Sequence, residues 1–356
     1  MSFGNVVRGL LHGVEEMVER AEDAVVNVVS EAFNIAAPKD YADGDIDYTD
    51  VEDEKLYVVT CVFNPAEYES RYRLYREFKK YIEQFDNVVL VTVELAIGNQ
   101  EFAVTDSEAN FDIQLRTDQI YWNKENLINI GYQNLPPNAK YIAWVDADVV
   151  FLNPNWVQDT IDGLKEHKVV QMFSEYIDLD ADHRHTGVAA SFIKVWKDNR
   201  DGLFSKKKTE DTYVNAKYGV TGLAWAARRD VLDNIGGLLD WLLTGASDWY
   251  MAYSLIGESH TTNNQLPELK DFQAKCDEFV GKDVGYISGT AVHYFHGNKK
   301  NRQYGTRWTI LAHNNYSPTT DLTKREDGLY IVNREKTVML EQLKQYFIDR
   351  KEDDVV

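Results

Sequence analysis

Apolar side chains at Val7, Leu11, Val14, Val18, Ala21, Val25, Val28 and Ala32 recur in alternating steps of four and three across residues 5 to 33. That repeat marks a coiled-coil seam or a long amphipathic helix. Val6, Leu10, Met17 and Ala24 widen the stripe, so docking on the chain's own body or on a bundle competes with a simple dimer. The pattern predicts a helix over residues 1–35, with a homo-oligomer through it as one use. Asp40, Asp43, Asp45, Asp47, Asp50, Asp53 and Glu54, with Gly44 among them, then predict an acidic flexible linker over 36–55.

From residue 56 the period switches between two and 3.6. LYVVTCVF (56–63) reads as a buried strand, 67–85 as a charged helix, NVVLVTVEL (87–95) as a second strand and IQLRT (113–117) as a short third. A helix over 123–133 stops before Pro136 and Pro137, and YIAWVDADVVFLN (141–153) runs an apolar strand into Asp146 and Asp148. KVVQMFSEY (168–176) and TGLAWAARRDVL (221–232) read as strands flanking a polar insertion with HRHTG (183–187) and KKKTED (206–211). Strands alternating with helices imply right-handed crossovers and a mainly parallel sheet, with ligands beyond the strands' carboxyl ends. Two carboxylates there suit a divalent cation carrying a phosphate. The competing reading has Asp146 capping a turn and Asp148 facing solvent.

Composition narrows the field. The 356 residues, 44% hydrophobic and 12% aromatic, support a large α/β core. A net charge of −20 argues against a polyanion held by the general surface. Duplex DNA would need a local basic patch such as Lys206, Lys207 and Lys208. With only Cys61 and Cys276, a disulfide framework is not expected and a reducing, cytoplasmic setting is. Arg8, Glu15, Glu16, Glu19 and Arg20 interrupt the first apolar stretch, so neither a signal peptide nor a membrane span is expected. The densest basic cluster is Lys299, Lys300, Arg302 and Arg307, which reads as a pyrophosphate contact or as a solvated loop.

A buried strand ending in D-x-D, a Gly236-Gly237 turn followed by an acid opening a helix, and His293 and His296 in VHYFHGNKKN followed by Lys and Arg together resemble the GT-A nucleotide-sugar glycosyltransferases. The resemblance spans residues 56–312 and leaves 313–356 as a carboxyl-terminal extension. WNKENLINIGYQNLP, GASDWYMAYSLIG and VHYFHGNKKNRQY look most like phage and bacterial members, which would place the protein in a host cytoplasm.

The resemblance implies a Rossmann-like mixed, mainly parallel sheet flanked by helices. It also implies transfer of a sugar from a nucleoside diphosphate donor, a UDP-sugar by preference, to a hydroxyl with Mn²⁺ or Mg²⁺. Asp148 is then the first metal ligand and Asp146 a second or a contact to ribose. One of His293 and His296 is a further ligand, His296 slightly favoured, and the other a packed imidazole. Asn64, Pro65, Arg116, Lys124 and Asn129 would face the nucleotide, and Lys299, Arg302 and Arg307 its pyrophosphate. Asp248 would be the general base of an inverting reaction, with Asp240 as the alternative base and an ordinary helix cap as the alternative role. Gly236, Gly237, Trp241 and Trp249, with Trp225 and Tyr250, would flank the acceptor, while His183 and His185 read as surface residues. The acceptor stays open among a modified DNA base, a glycan and a protein. A Mg²⁺-dependent nucleotidyltransferase would need a glycine-rich loop that CVFNPAEYES lacks. A non-catalytic virion or assembly module is the other alternative.

Overall fold

In the first strand, β1 (Asp53–Phe63), Leu56, Tyr57, Val58 and Val59 are buried on both faces, as a strand covered by two helical layers requires. The computed structural model describes residues 53–198, 219–259 and 266–354. The expected amino-terminal helix, the linker up to residue 52 and the KKKTED segment lie outside them. β1 begins at Asp53, three residues inside the expected linker. After it come α1 (Glu69–Ile82), β2 (Val88–Ile97), β3 (Asp112–Thr117), α2 (Lys124–Gln133), β4 (Ala139–Val145), β5 (Val149–Phe151), α3 (Trp156–Glu166), β6 (Val169–Gln171), β7 (Glu175–Leu179) and β8 (His185–Ala190). The chain continues through α4 (Phe192–Asp198), β9 (Ala224–Arg228), α5 (Arg229–Ile235), α6 (Ser247–Leu255), α7 (Pro267–Lys275), β10 (Val284–Tyr286), β11 (Thr290–His293), α8 (Thr309–His313), β12 (Leu322–Lys324), β13 (Tyr330–Val332) and α9 (Thr337–Asp349).

The main sheet has the order β10-β6-β9-β4-β1-β2-β3. β9 alone runs against its neighbours, β4 and β6. This is the mixed, mainly parallel, helix-flanked sheet that the sequence implies. The order reverses between β1 and β4, because β2 and β3 leave to one side of β1 while β4 joins on the other. Such a reversal opens a crevice at the strands' carboxyl ends, where β1 ends at Phe63 and β4 runs into Asp146.

Three expectations are corrected. TGLAWAARRDVL is strand only over β9; Val231, Leu232 and Ile235 bury one face of α5 instead. KVVQMFSEY divides between two sheets, since β6 stays in the main sheet and β7 enters a second one of order β5-β11-β7-β8. HRHTG leads into β8, which pairs antiparallel with β7 rather than looping out. Residues 313–354 also belong to the same compact unit as the rest of the described chain. Tyr346 and Phe347 of α9 pack with Phe63, Leu95, Leu115 and Leu127. No helix among the described residues is long and apolar enough to cross a membrane.

Candidate metal centre and its cleft

The second sheet brings the carboxylate and the imidazoles together. β5 starts one residue after Asp148 and pairs antiparallel with β11, setting Val149 opposite His293. The Tyr294 amide donates to the Asp148 carbonyl at 2.9 Å. On its other side β11 runs parallel to β7 in a register that places His293 beside Asp178. Asp148, His293 and His296 each offer a ligand atom, all within 4.8 Å of one another. Both histidines therefore converge on the aspartate.

Hydrogen bonding fixes what these atoms present. His293 Nδ1 lies 2.7 Å from Asp178 Oδ1; in the neutral ring this contact places the proton on Nδ1 and the lone pair on Nε2. Arg302 Nη2 donates to His296 Nε2 at 2.9 Å, so that nitrogen too is an acceptor. The two Nε2 atoms are 3.3 Å apart. His296 Nε2 is 3.0 Å from Asp148 Oδ2, and His293 Nε2 is 3.8 Å from Asp148 Oδ1. Asp148 Oδ1 is buried without a hydrogen-bond partner. A carboxylate and two imidazoles this close form a donor set that fits a metal ion, and Arg302 would have to release His296 Nε2 to admit one. Asp178 also holds Lys299 at 2.5 Å. Burial works against the Asp178 charge, yet His293 and Lys299 keep its carboxyl well below the usual range.

Asp146 has different work. Its carboxylate is ion-paired with Lys124 at the start of α2, and its amide donates to the Leu223 carbonyl at 2.9 Å. Burial, helped by the Asp148 charge and opposed by Lys124, raises the Asp146 carboxyl. Lys124 is itself raised, because Asp146 and Glu125 outweigh the desolvation of its ammonium. Asp248 lies in the first turn of α6, but the cap is Ala246 and no side chain caps this helix. The plain capping role is thus set aside. Asp248 Oδ2 instead accepts from Thr221 Oγ1 at 3.1 Å, and the same oxygen lies 2.9 Å from where a Cβ on Gly222 would sit. Glu125 faces the same recess, receives Trp122 Nε1 at 3.0 Å, and is pushed by burial to about 7, with Asp248 adding to the rise and Lys124 opposing it.

These groups line a cleft of about 1840 Å³ walled by the ends of β1 and β4, by α6 and by residues 293–308. Seven of its lining side chains are Arg or Lys, against five Asp or Glu, in a chain of net charge −20. The cleft is therefore electrostatically distinct from the rest of the molecule. Arg302 and Arg307 are buried, which overturns the solvated-loop reading for them. Arg307 reaches Tyr346 at 3.0 Å and stacks over Trp122 and Tyr304. Trp249 and Tyr250 line the same cleft.

Other expected site residues are elsewhere. Asn64 closes its own turn by exchanging hydrogen bonds with the Tyr68 backbone, and neither it nor Pro65 lines the cleft. Arg116 is exposed and donates to the Gly98 and Gln100 carbonyls. Gly236 and Gly237 end α5 rather than facing a sugar. A Cβ on Gly237, whose φ is 82°, would meet Asn129 Oδ1 at 2.6 Å, and Asn129 is spent bonding Leu238 and Asp240. Asp240 also accepts from Tyr330 at 3.1 Å, outside the cleft, which removes it as an alternative base. Trp241 and Trp225 are core side chains. Glu125 and Asp178 are cleft residues that sequence reading passed over. A charged residue in the β7 pattern EYIDL was the one available hint for Asp178.

No protein-family model and no curated protein matches the chain. Similar solved structures include Drosophila β1,4-galactosyltransferase 7 with manganese, UDP-Gal and xylobiose, at 13% identity over 70% of this chain and 74% of that one, TM-score 0.34. S. aureus TarS with UDP-GlcNAc gives 14%, 69%, 60% and 0.39. Glucosyl-3-phosphoglycerate synthase of Mycobacterium tuberculosis with Mg²⁺ and uridine diphosphate gives 10%, 72%, 76% and 0.35. Likenesses this remote do not by themselves assign a reaction to this chain.

Proposed function

We propose that the chain is a metal-dependent glycosyltransferase that moves a sugar from a nucleoside diphosphate donor, a UDP-sugar by preference, to a hydroxyl acceptor. The observation that carries this reading is the Asp148, His293 and His296 trio, set in a basic cleft at a topological switch point. Imidazole ligands favour Mn²⁺ over Mg²⁺ at such a site. A divalent cation held there would neutralise charge on the departing diphosphate.

The chain's own groups supply the rest. Lys299, Lys300 and Arg302 face the cleft where a pyrophosphate would sit. Asp248, oriented by Thr221, accepts the proton of the acceptor hydroxyl as its oxygen bonds to the anomeric carbon and the carbon–oxygen bond to the diphosphate breaks. A carboxylate base on the acceptor side supports inversion. Trp249 and Tyr250 offer flat apolar faces to a sugar ring.

The test is incubation with a panel of nucleotide sugars and Mn²⁺, with donor binding followed by calorimetry. Donor turnover or hydrolysis that disappears in Asp148→Ala supports the reading. No binding and no hydrolysis with any donor would sink it and leave the non-catalytic module as the better account.

A further inference from the structure

We infer that Glu352 is the positioning residue for His296, so that the metal centre is complete only when residues 350–353 are docked beside it. This rests on the metal-site reading above. His296 Nε2 accepts from Arg302, so the ring's proton sits on Nδ1, and the nearest acid on that side is Glu352 Oε1 at 3.7 Å. The contact is electrostatic at that length. It repeats in outline the His293–Asp178 pair, giving each imidazole a carboxylate on its Nδ1 side.

The acid is rigidly held. Glu352 is 2% exposed, and its oxygens receive Arg71 Nε at 2.5 Å, Arg71 Nη2 at 2.8 Å and Arg350 Nε at 2.5 Å. The segment around it is tied to the start of α1. Asp353 accepts from the Glu69 and Ser70 amides at 2.8 and 2.9 Å, and the Lys351 amide donates to Tyr68 Oη at 2.9 Å.

Gly297 supplies an independent mark of fit. It follows His296 directly, its φ is 92°, and a Cβ there would lie 2.7 Å from the Glu352 Cα. Only a residue without a side chain lets this backbone come so close to the histidine.

Two variants of the full chain test the inference by Mn²⁺ calorimetry, with the visible spectrum of the Co²⁺-loaded protein alongside. Glu352→Asp keeps the charge that Arg71 and Arg350 require but withdraws it from His296 by one methylene. Gly297→Ala changes no charge and displaces the segment. Both are expected to weaken Mn²⁺ binding about ten- to a hundredfold and to alter the Co²⁺ spectrum, with Glu352→Asp melting near the wild type. Wild-type Mn²⁺ binding retained within twofold in both folded variants would overturn the role of Glu352 while leaving the metal site standing. Absence of Mn²⁺ binding in the wild type would overturn the metal-site reading itself, and this proposal with it.

Discussion

Glu125→Gln isolates one buried carboxyl and gives a signed prediction. Glu125 is 6% exposed at the start of α2, and burial moves its carboxyl from its ordinary 4.5 to about 7. In the unfolded chain the group loses its proton near 4.5, while the folded protein keeps it until about 7. Across that window the folded state binds more protons than the unfolded one, so stability falls as pH rises. At about 1.4 kcal/mol per pH unit the loss attributable to this residue reaches about 3 kcal/mol above pH 7. Glutamine is neutral throughout, nearly the same shape, and still accepts from Trp122 Nε1. The variant should therefore match the wild type near pH 4.5 and gain steadily toward pH 8. For a domain of this size, about 3 kcal/mol corresponds to a melting-temperature gain of roughly 5 °C. Melting curves of both proteins at half-unit steps from pH 4.5 to 8, in a chelator to remove metal, measure this directly. A difference between the two proteins that stays constant with pH, or a variant that loses ground as pH rises, would refute the argument.

Further perturbations address separate parts of the site and core. Asp248→Asn should leave donor binding by calorimetry within about twofold while lowering turnover about 10²- to 10⁴-fold; unchanged turnover would remove Asp248 as base. Lys124→Met strips Asp146 of its counter-charge. Because both groups are partly solvated, the cost in a urea titration should be about 2 kcal/mol, below that of a fully buried pair, and Asp146→Asn in the same chain should recover most of it. Gly131→Ala puts a Cβ 2.4 Å from Val59 Cγ1 and 3.0 Å from Val93 Cγ2. An overpacking loss of about 1–3 kcal/mol should appear in urea unfolding, with no change in metal affinity.

How far the sequence speaks depends on the range of the interactions involved. The order of β1, β2, β3 and β4 was legible because each strand is a buried apolar run between turn signals, and Asp146 and Asp148 followed from the rule that ligands sit beyond strand ends. His293 and His296 stood out through family pattern, but their joint approach to Asp148 was not legible, because it depends on β11 pairing with β5. Asp178 and Glu352 were not legible, since each comes beside its histidine across more than fifty residues of chain with no local spacing to betray it. Glu125 looked like an ordinary acid in a first helical turn, where the macrodipole favours one. The misplacements of Asn64, Arg116 and Asp240 share a cause: the side-chain polar atoms of each are consumed by neighbouring backbone or side chains.

The placement of β11 between β5 and β7 has a kinetic reach. His293 meets Asp178 across 115 residues, so the site depends on a pairing whose loop-closure entropy must be met before any ligand geometry exists. A slip of one residue in β11 would turn His293 to the opposite face of the sheet, and the same slip would separate it from Asp148. On the proposed metal reading, cation uptake would act as a checkpoint on strand register: misregistered molecules could not bind, and mass action by the ion would draw the population toward the one alignment that can. Without the ion, the second sheet is where protection against hydrogen exchange should fade first, while the interior strands β1 and β4 hold.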